Sequence, residues 1–278
     1  MAGYFMNLPG SLTSEEAPQG ARLRARMDRF YQTTQEYAAF QHPNEMPEQW
    51  PYVRAAIEET LQRKTVCRVL EIGAGRSNFA RFLGPDLRGA IHYTTQDVTR
   101  SNEDHLRQAA DAVHFGSVLE LDGPFDVIFS TFVLEHISDP RRTLAKLFGM
   151  LADNGRLFVF CPRYDAPFYL SHSADHYGPA RRTAIGLTLL TARAWALVTR
   201  RPLFLIHTDP AIFHLDWDRD RDAIHWASLW DLELFFKKRA RLEILKLHSE
   251  GVKDWIVKNL LQINLCISKP DTPPLLAR

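Results

Sequence analysis

Val69-Leu70-Glu71-Ile72-Gly73-Ala74-Gly75-Arg76-Ser77 is the stretch that decides the architecture of this 278-residue chain. An apolar strand runs into two closely spaced glycines, and a helical pattern opens directly after them. Glycines permit the turn and let a ligand approach the backbone, while the start of the helix supplies free N–H groups. A cofactor is expected beside this turn. The third glycine of the dinucleotide fingerprint is replaced by Asn78, which counts against NAD.

Outward from the turn, strand-like runs at 66–72, 90–96, 112–115, 125–130 and 156–161 alternate with helical stretches at 77–83, 102–109 and 140–151. Alternation of this kind, with strands rich in Val, Leu, Ile and Phe, predicts an α/β, Rossmann-like doubly wound sheet covered on both faces. Upstream, 15–40 is helical, with Leu23, Met27, Phe30 and Tyr31 at spacings of three and four, and a second helix covers 51–63. Arg22, Arg24, Arg26 and Arg29 on the first helix read as a solvated face. From 163 to 224 the rhythm breaks. That segment is rich in His, Asp, Arg and aromatic residues and is too long for a bare loop, so it reads as a mainly helical cap insertion. A helix at 228–238 and strands at 242–248 and 262–269 then resume the core. The expected organisation is an N-terminal helical arm or lid at 1–63, a cofactor-binding core at 64–162, a cap at 163–225 and completion of the core at 226–278.

Composition narrows the partners. Lys+Arg 34 against Asp+Glu 33 leaves a net charge of +1, with no global field to hold a nucleic acid. A small molecule is the expected partner. Cys67, Cys161 and Cys266 are far apart and sit in strand-like runs, so neither a disulfide framework nor a zinc site is expected. The N-terminus has no basic region followed by an apolar stretch, which favours the cytoplasm. The apolar window at 184–199 contains Arg193 and is too short to span a bilayer. Apolar residues fall on nearly every face of this segment, so something must cover it: the core, a second subunit in a homodimer, the acceptor cavity, or a peripheral membrane contact aided by the flanking arginines.

Further motifs follow the glycine turn in order. Asp97 closes the second strand, about 20 residues on, where an acidic side chain accepts from the hydroxyls of a ribose. Phe115-Gly116-Ser117-Val118 follows the third strand, and Phe125-Asp126-Val127-Ile128-Phe129-Ser130-Thr131-Phe132-Val133-Leu134-Glu135-His136-Ile137 forms the fourth strand and its exit. Leu151-Ala152-Asp153-Asn154-Gly155-Arg156-Leu157 completes the series. Together these segments resemble the class I S-adenosylmethionine-dependent methyltransferases, particularly the ubiquinone and menaquinone biosynthesis type, over residues 66–162. The closing strand pair resembles the hairpin that ends that family's sheet, implying an antiparallel last strand. The resemblance implies S-adenosylmethionine as cofactor, with Glu71, Gly73, Ala74 and Gly75 at its methionine end and Asp97 on the ribose. Ser117 and Val118 would edge the adenine, and Ser130, Thr131 and Phe132 would line the sulfonium side. Many family members carry Asp where Ser117 stands.

Methyl transfer from a sulfonium needs alignment and exclusion of water, and an oxygen or nitrogen acceptor can also need a base. His136, at the C-terminal edge of the sheet, is the candidate base; the competing reading is that it orients the loop or contacts the cofactor. Tyr31 and Tyr37 in the arm and His172, His176 and Trp195 in the cap are candidate acceptor contacts. His172, Asp175 and His176, like His214, Asp216 and Asp218, lack a clean ligand spacing, and no metal is expected. The expected function is methylation of a small-molecule acceptor, at oxygen first, with nitrogen or carbon as alternatives. A hydrophobic secondary metabolite, quinone or lipid-like compound fits the apolar cap. A catalytically silent methyltransferase-like module and an NAD-dependent oxidoreductase are the competing readings.

Overall fold

Both faces of the central strand are covered, and this sets the layering. The computed structural model describes residues 4–6, 18–33, 46–207 and 221–275; Tyr37, His214, Asp216 and Asp218 lie outside them. Strand β2 (Cys67–Ile72) exposes only Arg68. Cys67 and Val69 pack on one side with Phe79, Phe129, Phe158 and Phe160, and Leu70 and Ile72 pack on the other with Ile128, Leu144, Leu157 and Val159. The period of two along each strand divides its side chains between two apolar layers.

In chain order the elements are β1 (Tyr4–Met6), α1 (Pro18–Thr33), α2 (Trp50–Leu61), β2, α3 (Phe79–Gly89), β3 (Ile91–Asp97), α4 (Glu103–Ala109) and β4 (Ala112–Phe115). They continue as β5 (Phe125–Thr131), α5 (Pro140–Gly149), β6 (Leu151–Pro162), α6 (Pro179–Thr199), β7 (Leu205–His207), α7 (Leu229–Phe236), β8 (Arg241–Ile244), α8 (Val252–Asn259) and β9 (Gln262–Ser268). Seven strands form one sheet in the order β4-β3-β2-β5-β6-β9-β8. The pairs β4/β3, β3/β2, β2/β5 and β5/β6 are parallel, and β9 runs antiparallel to both β6 and β8. The expected doubly wound sheet with an antiparallel last strand is therefore present. The strand order reverses at β2 and β5, which stay parallel, and the crevice beyond their C-terminal ends is where such sheets bind ligands.

Three details differ from the expectation. Helix α3 starts at Phe79 rather than 77 and bends at Gly84, whose φ of 77° precedes Pro85. Strand β6 starts at Leu151, ahead of the expected 156, with a register shift against β5 between Phe125 and Val127. The N-terminal region, expected to be helical, also supplies β1, which pairs antiparallel with β7. Three residues are too few for a period-two pattern to register.

Helix α6 is held by its one interior charge. Arg193 is fully buried; it forms an ion pair with Asp231 at the start of α7 and donates to the Trp226 carbonyl at 2.7 Å. Asp231 also accepts from the backbone N–H groups of Leu203 (2.9 Å) and Phe204 (3.1 Å). A buried guanidinium is tolerated only when paired in this way. Among the described residues no helix is long and apolar enough to cross a membrane.

Candidate active site

Loops leaving β2, β3, β4 and β5 meet at the C-terminal edge and are braced by two adjacent side chains. Gly73 and Gly75 adopt φ values of 62° and 52°, in the left-handed region that costs glycine nothing. Asp97 Oδ2 accepts from the Gly75 N–H at 2.7 Å, and Oδ1 accepts from the Thr99 N–H at 2.9 Å. Gln96 accepts from the Gly73 N–H at 3.3 Å through Oε1 and donates to the Gly116 carbonyl at 2.7 Å through Nε2. A side chain at Gly73 would meet the chain itself, since a Cβ there would lie 2.5 Å from Val133 Cγ2.

Glu71 lies behind the turn. It is buried and accepts a short hydrogen bond from the Tyr93 hydroxyl. Burial pushes its carboxyl up to about 8 despite hydrogen bonds from Tyr93 and Ser77. Asp97 is also raised by burial, with the N–H groups of Thr99, Gly75 and Val98 working against the shift.

Past β5 the chain turns at Phe132 (φ 56°) into a short 3-10 turn, Leu134–His136. A distant segment fixes this turn: the Glu135 carbonyl accepts from the N–H groups of Ile224 (2.9 Å) and His225 (2.8 Å), and His225 Nδ1 contacts the Leu134 carbonyl at 2.9 Å. The same stitching brings Asp222 to His136, with Oδ2 3.2 Å from the imidazole Nδ1. Tyr31 on α1 donates its hydroxyl to the same carboxylate oxygen at 2.6 Å, and its ring stands edge-to-face to His136 at 6.4 Å. Burial would push the Asp222 carboxyl up, yet the imidazole and the Tyr31 hydroxyl outweigh it and hold the group below the usual carboxylate range.

These parts enclose one cavity of about 240 Å³. Gly73, Gln96, Asp97, Gly116, Ser117 and Val118 from the strand exits line it together with Phe132, Val133 and His136, and α1 contributes Arg24, Met27, Asp28, Tyr31 and Gln32. Positions 24, 27, 28, 31 and 32 share one face of a helix. Burial raises the Asp28 carboxyl, with Arg24 opposing. A larger and more open depression of about 970 Å³, between Glu48, Pro51, His248 and α8, holds none of the residues singled out from the sequence.

Of those residues, Tyr31, Gly73, Asp97, Ser117, Val118, Phe132 and His136 meet at the cavity. Glu71, Ala74, Gly75, Ser130 and Thr131 belong to the turn and strand ends behind it and do not line it. His172, His176 and Trp195 are exposed and lie apart from it. His172 contacts Asp175 at 2.8 Å, His176 packs on Tyr177 with ring centroids 3.8 Å apart, and Trp195 is 61% exposed. Expected in the acceptor cavity, Trp195 instead faces outward, because Ile185, Leu189, Arg193 and Ala196 form the inward face of α6. Sequence reasoning missed Gln96, Asp222 and the polar positions Arg24, Asp28 and Gln32. Only the last three left a signal, in their helical spacing with Tyr31. Among the described residues no group of three or more His, Cys, Asp or Glu is placed to hold a metal.

A family model described as a methyltransferase domain matches residues 25–201, which takes in the second half of α1, β2 to β6 and α6. The chain belongs to this methyltransferase family. Its seven-stranded, mostly parallel sheet with an antiparallel strand is the class I methyltransferase fold, for which S-adenosylmethionine is the cofactor. Two solved structures resemble it over nearly their whole length. One is 1,6-didemethyltoxoflavin-N1-methyltransferase from Burkholderia thailandensis, with bound 1,6-didemethyltoxoflavin and S-adenosylhomocysteine. It is 11% identical with a TM-score of 0.53, and the match covers 96% of this chain and 99% of that one. The other is the plantazolicin methyltransferase BpumL in complex with a pentazolic desmethyl-plantazolicin analogue and S-adenosylhomocysteine. It is 10% identical with a TM-score of 0.51, covering 90% of this chain and 98% of that one. At such identities the likeness is one of fold. No curated protein matches the methyltransferase in sequence.

Proposed function

We propose that this methyltransferase methylates an oxygen, or secondarily a nitrogen, of a small and largely apolar acceptor, with His136 as general base. One observation carries the reading: His136, backed by Asp222 and Tyr31, stands on the wall of the cavity that also contains Gly73, Asp97 and Gly116. The residues suit the cofactor. Asp97 accepts backbone N–H groups through both oxygens and still has acceptor capacity for a ribose hydroxyl, and Ile72, Val118, Leu119 and Phe132 supply apolar wall. When bound, S-adenosylmethionine supplies an electrophilic methyl group on sulfur. His136 turns Nδ1 toward Asp222, which leaves Nε2 as the atom to take the acceptor's proton. The Asp222 carboxylate stabilises the imidazolium that results, and Tyr31 holds that carboxylate in place.

Helix α1 acts as the lid of this site, and Arg24, Asp28 and Gln32 select the polar end of the acceptor. His172, His176 and Trp195 have no part in this reading. The buried, free thiols of Cys67, Cys161 and Cys266 suit the reducing cytosol. The test is calorimetric titration with S-adenosylhomocysteine and NAD, followed by turnover on a panel of phenols, hydroxylated heterocycles and amines. Tight S-adenosylhomocysteine binding, no competition by NAD and turnover that rises with pH are expected. Binding without turnover on any acceptor would favour a silent module, and NAD binding alone would overturn the assignment.

A further inference from the structure

Helix α6 exposes an uncharged and largely apolar face. Its 21 residues contain no Asp or Glu, and the one arginine in its middle, Arg193, is buried. Outward from the core the helix therefore presents Ala184, Leu187, Thr188, Thr191, Trp195 and Val198, a stripe without charge. Trp195 is 61% exposed and Val198 80%. Phe168, itself 55% exposed, widens the stripe by lying over Gly186, where a Cβ would come within 2.6 Å of its ring. Arginines bracket both ends: Arg181 and Arg182 in the first turn, Arg200 and Arg201 just past the last. Arg181 stacks on Tyr177 and Arg182 meets the exposed Asp175 at 3.4 Å. From the first pair to the second is about 27 Å of helix at 1.5 Å per residue.

We propose that α6 docks flat on an anionic lipid surface, its apolar stripe among the upper acyl chains and its arginines on the headgroups. Apolar area of this extent left in water is costly, and tryptophan with flanking arginines suits the boundary between hydrocarbon and headgroup. Charge decides against a second copy of the chain. Two α6 helices packed antiparallel would set Arg181 and Arg182 against Arg200 and Arg201; packed parallel, they would set each pair against itself. No acidic residue on the helix relieves either arrangement, whereas anionic lipid neutralises both ends. The docking surface stands apart from the choice of acceptor, although a lipid-like acceptor would be met there.

The experiment is co-sedimentation of the full chain with vesicles of phosphatidylcholine alone and of two parts phosphatidylcholine to one part phosphatidylglycerol, at low and high salt. S-adenosylhomocysteine affinity on the same samples reports folding and tests the methyltransferase reading separately. Binding to the anionic vesicles is expected, weakened about tenfold or more on neutral ones and by high salt. Trp195→Asp, and the milder Thr191→Glu, which places one charge in mid-stripe, should each weaken it at least about tenfold. S-adenosylhomocysteine affinity should stay unchanged. Two results would overturn the proposal: a chain that binds S-adenosylhomocysteine but sediments with neither vesicle, or a dimer that dissociates on Trp195→Asp without change in lipid binding.

Discussion

Gly73→Ala tests the tightest point of the site. Two costs can be worked from the structure. At φ 62° a residue with a Cβ is strained by about 1–2 kcal/mol. The new Cβ would also stand 2.5 Å from Val133 Cγ2 and 2.9 Å from Cγ1, where ordinary carbon contacts are about 3.5–4.0 Å. The loop carrying Val133 must therefore retreat by about 1 Å, and overpacking of this kind costs about 1–3 kcal/mol. The sum, about 2–5 kcal/mol, corresponds to a fall in Tm on the order of 5–15 °C for a chain of this length. Because Val133 immediately precedes the turn carrying His136, turnover should fall along with stability. Thermal and urea unfolding of Gly73→Ala, Val133→Ala and the double variant form a cycle that isolates the clash. Removing the Val133 methyls leaves its Cβ at 3.3 Å, so the double variant should recover about 1 kcal/mol or more beyond additivity. Additivity within about 0.5 kcal/mol, or a Gly73→Ala variant as stable as the parent, would refute the packing argument.

Asp97→Ala should weaken S-adenosylhomocysteine by about 1.5–3 kcal/mol, the loss of charge-assisted hydrogen bonds, and should loosen the Gly75 turn as well; calorimetry showing unchanged affinity would move the ribose elsewhere. His136→Ala should lower kcat strongly with cofactor affinity intact, and Asp222→Asn should lower it less while displacing the pH–rate profile; if His136→Ala weakens cofactor affinity and kcat together, the imidazole serves the cofactor instead. His225 is buried and neutral, its imidazole pushed down to about 4 by burial, so the unfolded chain binds the extra proton first as pH falls. Stability should therefore be full above about pH 6.5 and decline toward pH 4, and His225→Gln should flatten that part of a Tm–pH curve; an equally steep curve would count against this group.

The sheet was legible because burial on both faces leaves continuous apolar runs, and because the glycines at 73 and 75 mark where a strand yields to a turn. The reason for one of those glycines was not legible. Gly73 is expected from the sequence to make room for a ligand, and the structure adds Val133 as an immediate neighbour, a contact between loops 60 residues apart that no local pattern encodes. Trp195 shows the converse: the sequence marks α6 as apolar, but which of its faces the core covers depends on where Arg193 finds Asp231, on another helix. Gln96 looks like any polar residue at a strand end until Gly73 and Gly116 are seen on either side of it. Asp222 could not be found at all from sequence spacing, because only the pairing of the Glu135 carbonyl with 224–225 brings it to His136.

That pairing limits how the molecule can be taken apart. The matched family domain, which includes Tyr31 and His136, ends at residue 201, yet the carboxylate that both of them meet comes from residue 222. A chimera that keeps the glycine turn, the sheet and His136 but exchanges the segment after 201 would retain a place for the cofactor and leave the imidazole without its anchor. Directed recombination within this family would then yield many chains that bind and few that turn over, unless the crossover carries 222–225 along with the 134–136 turn.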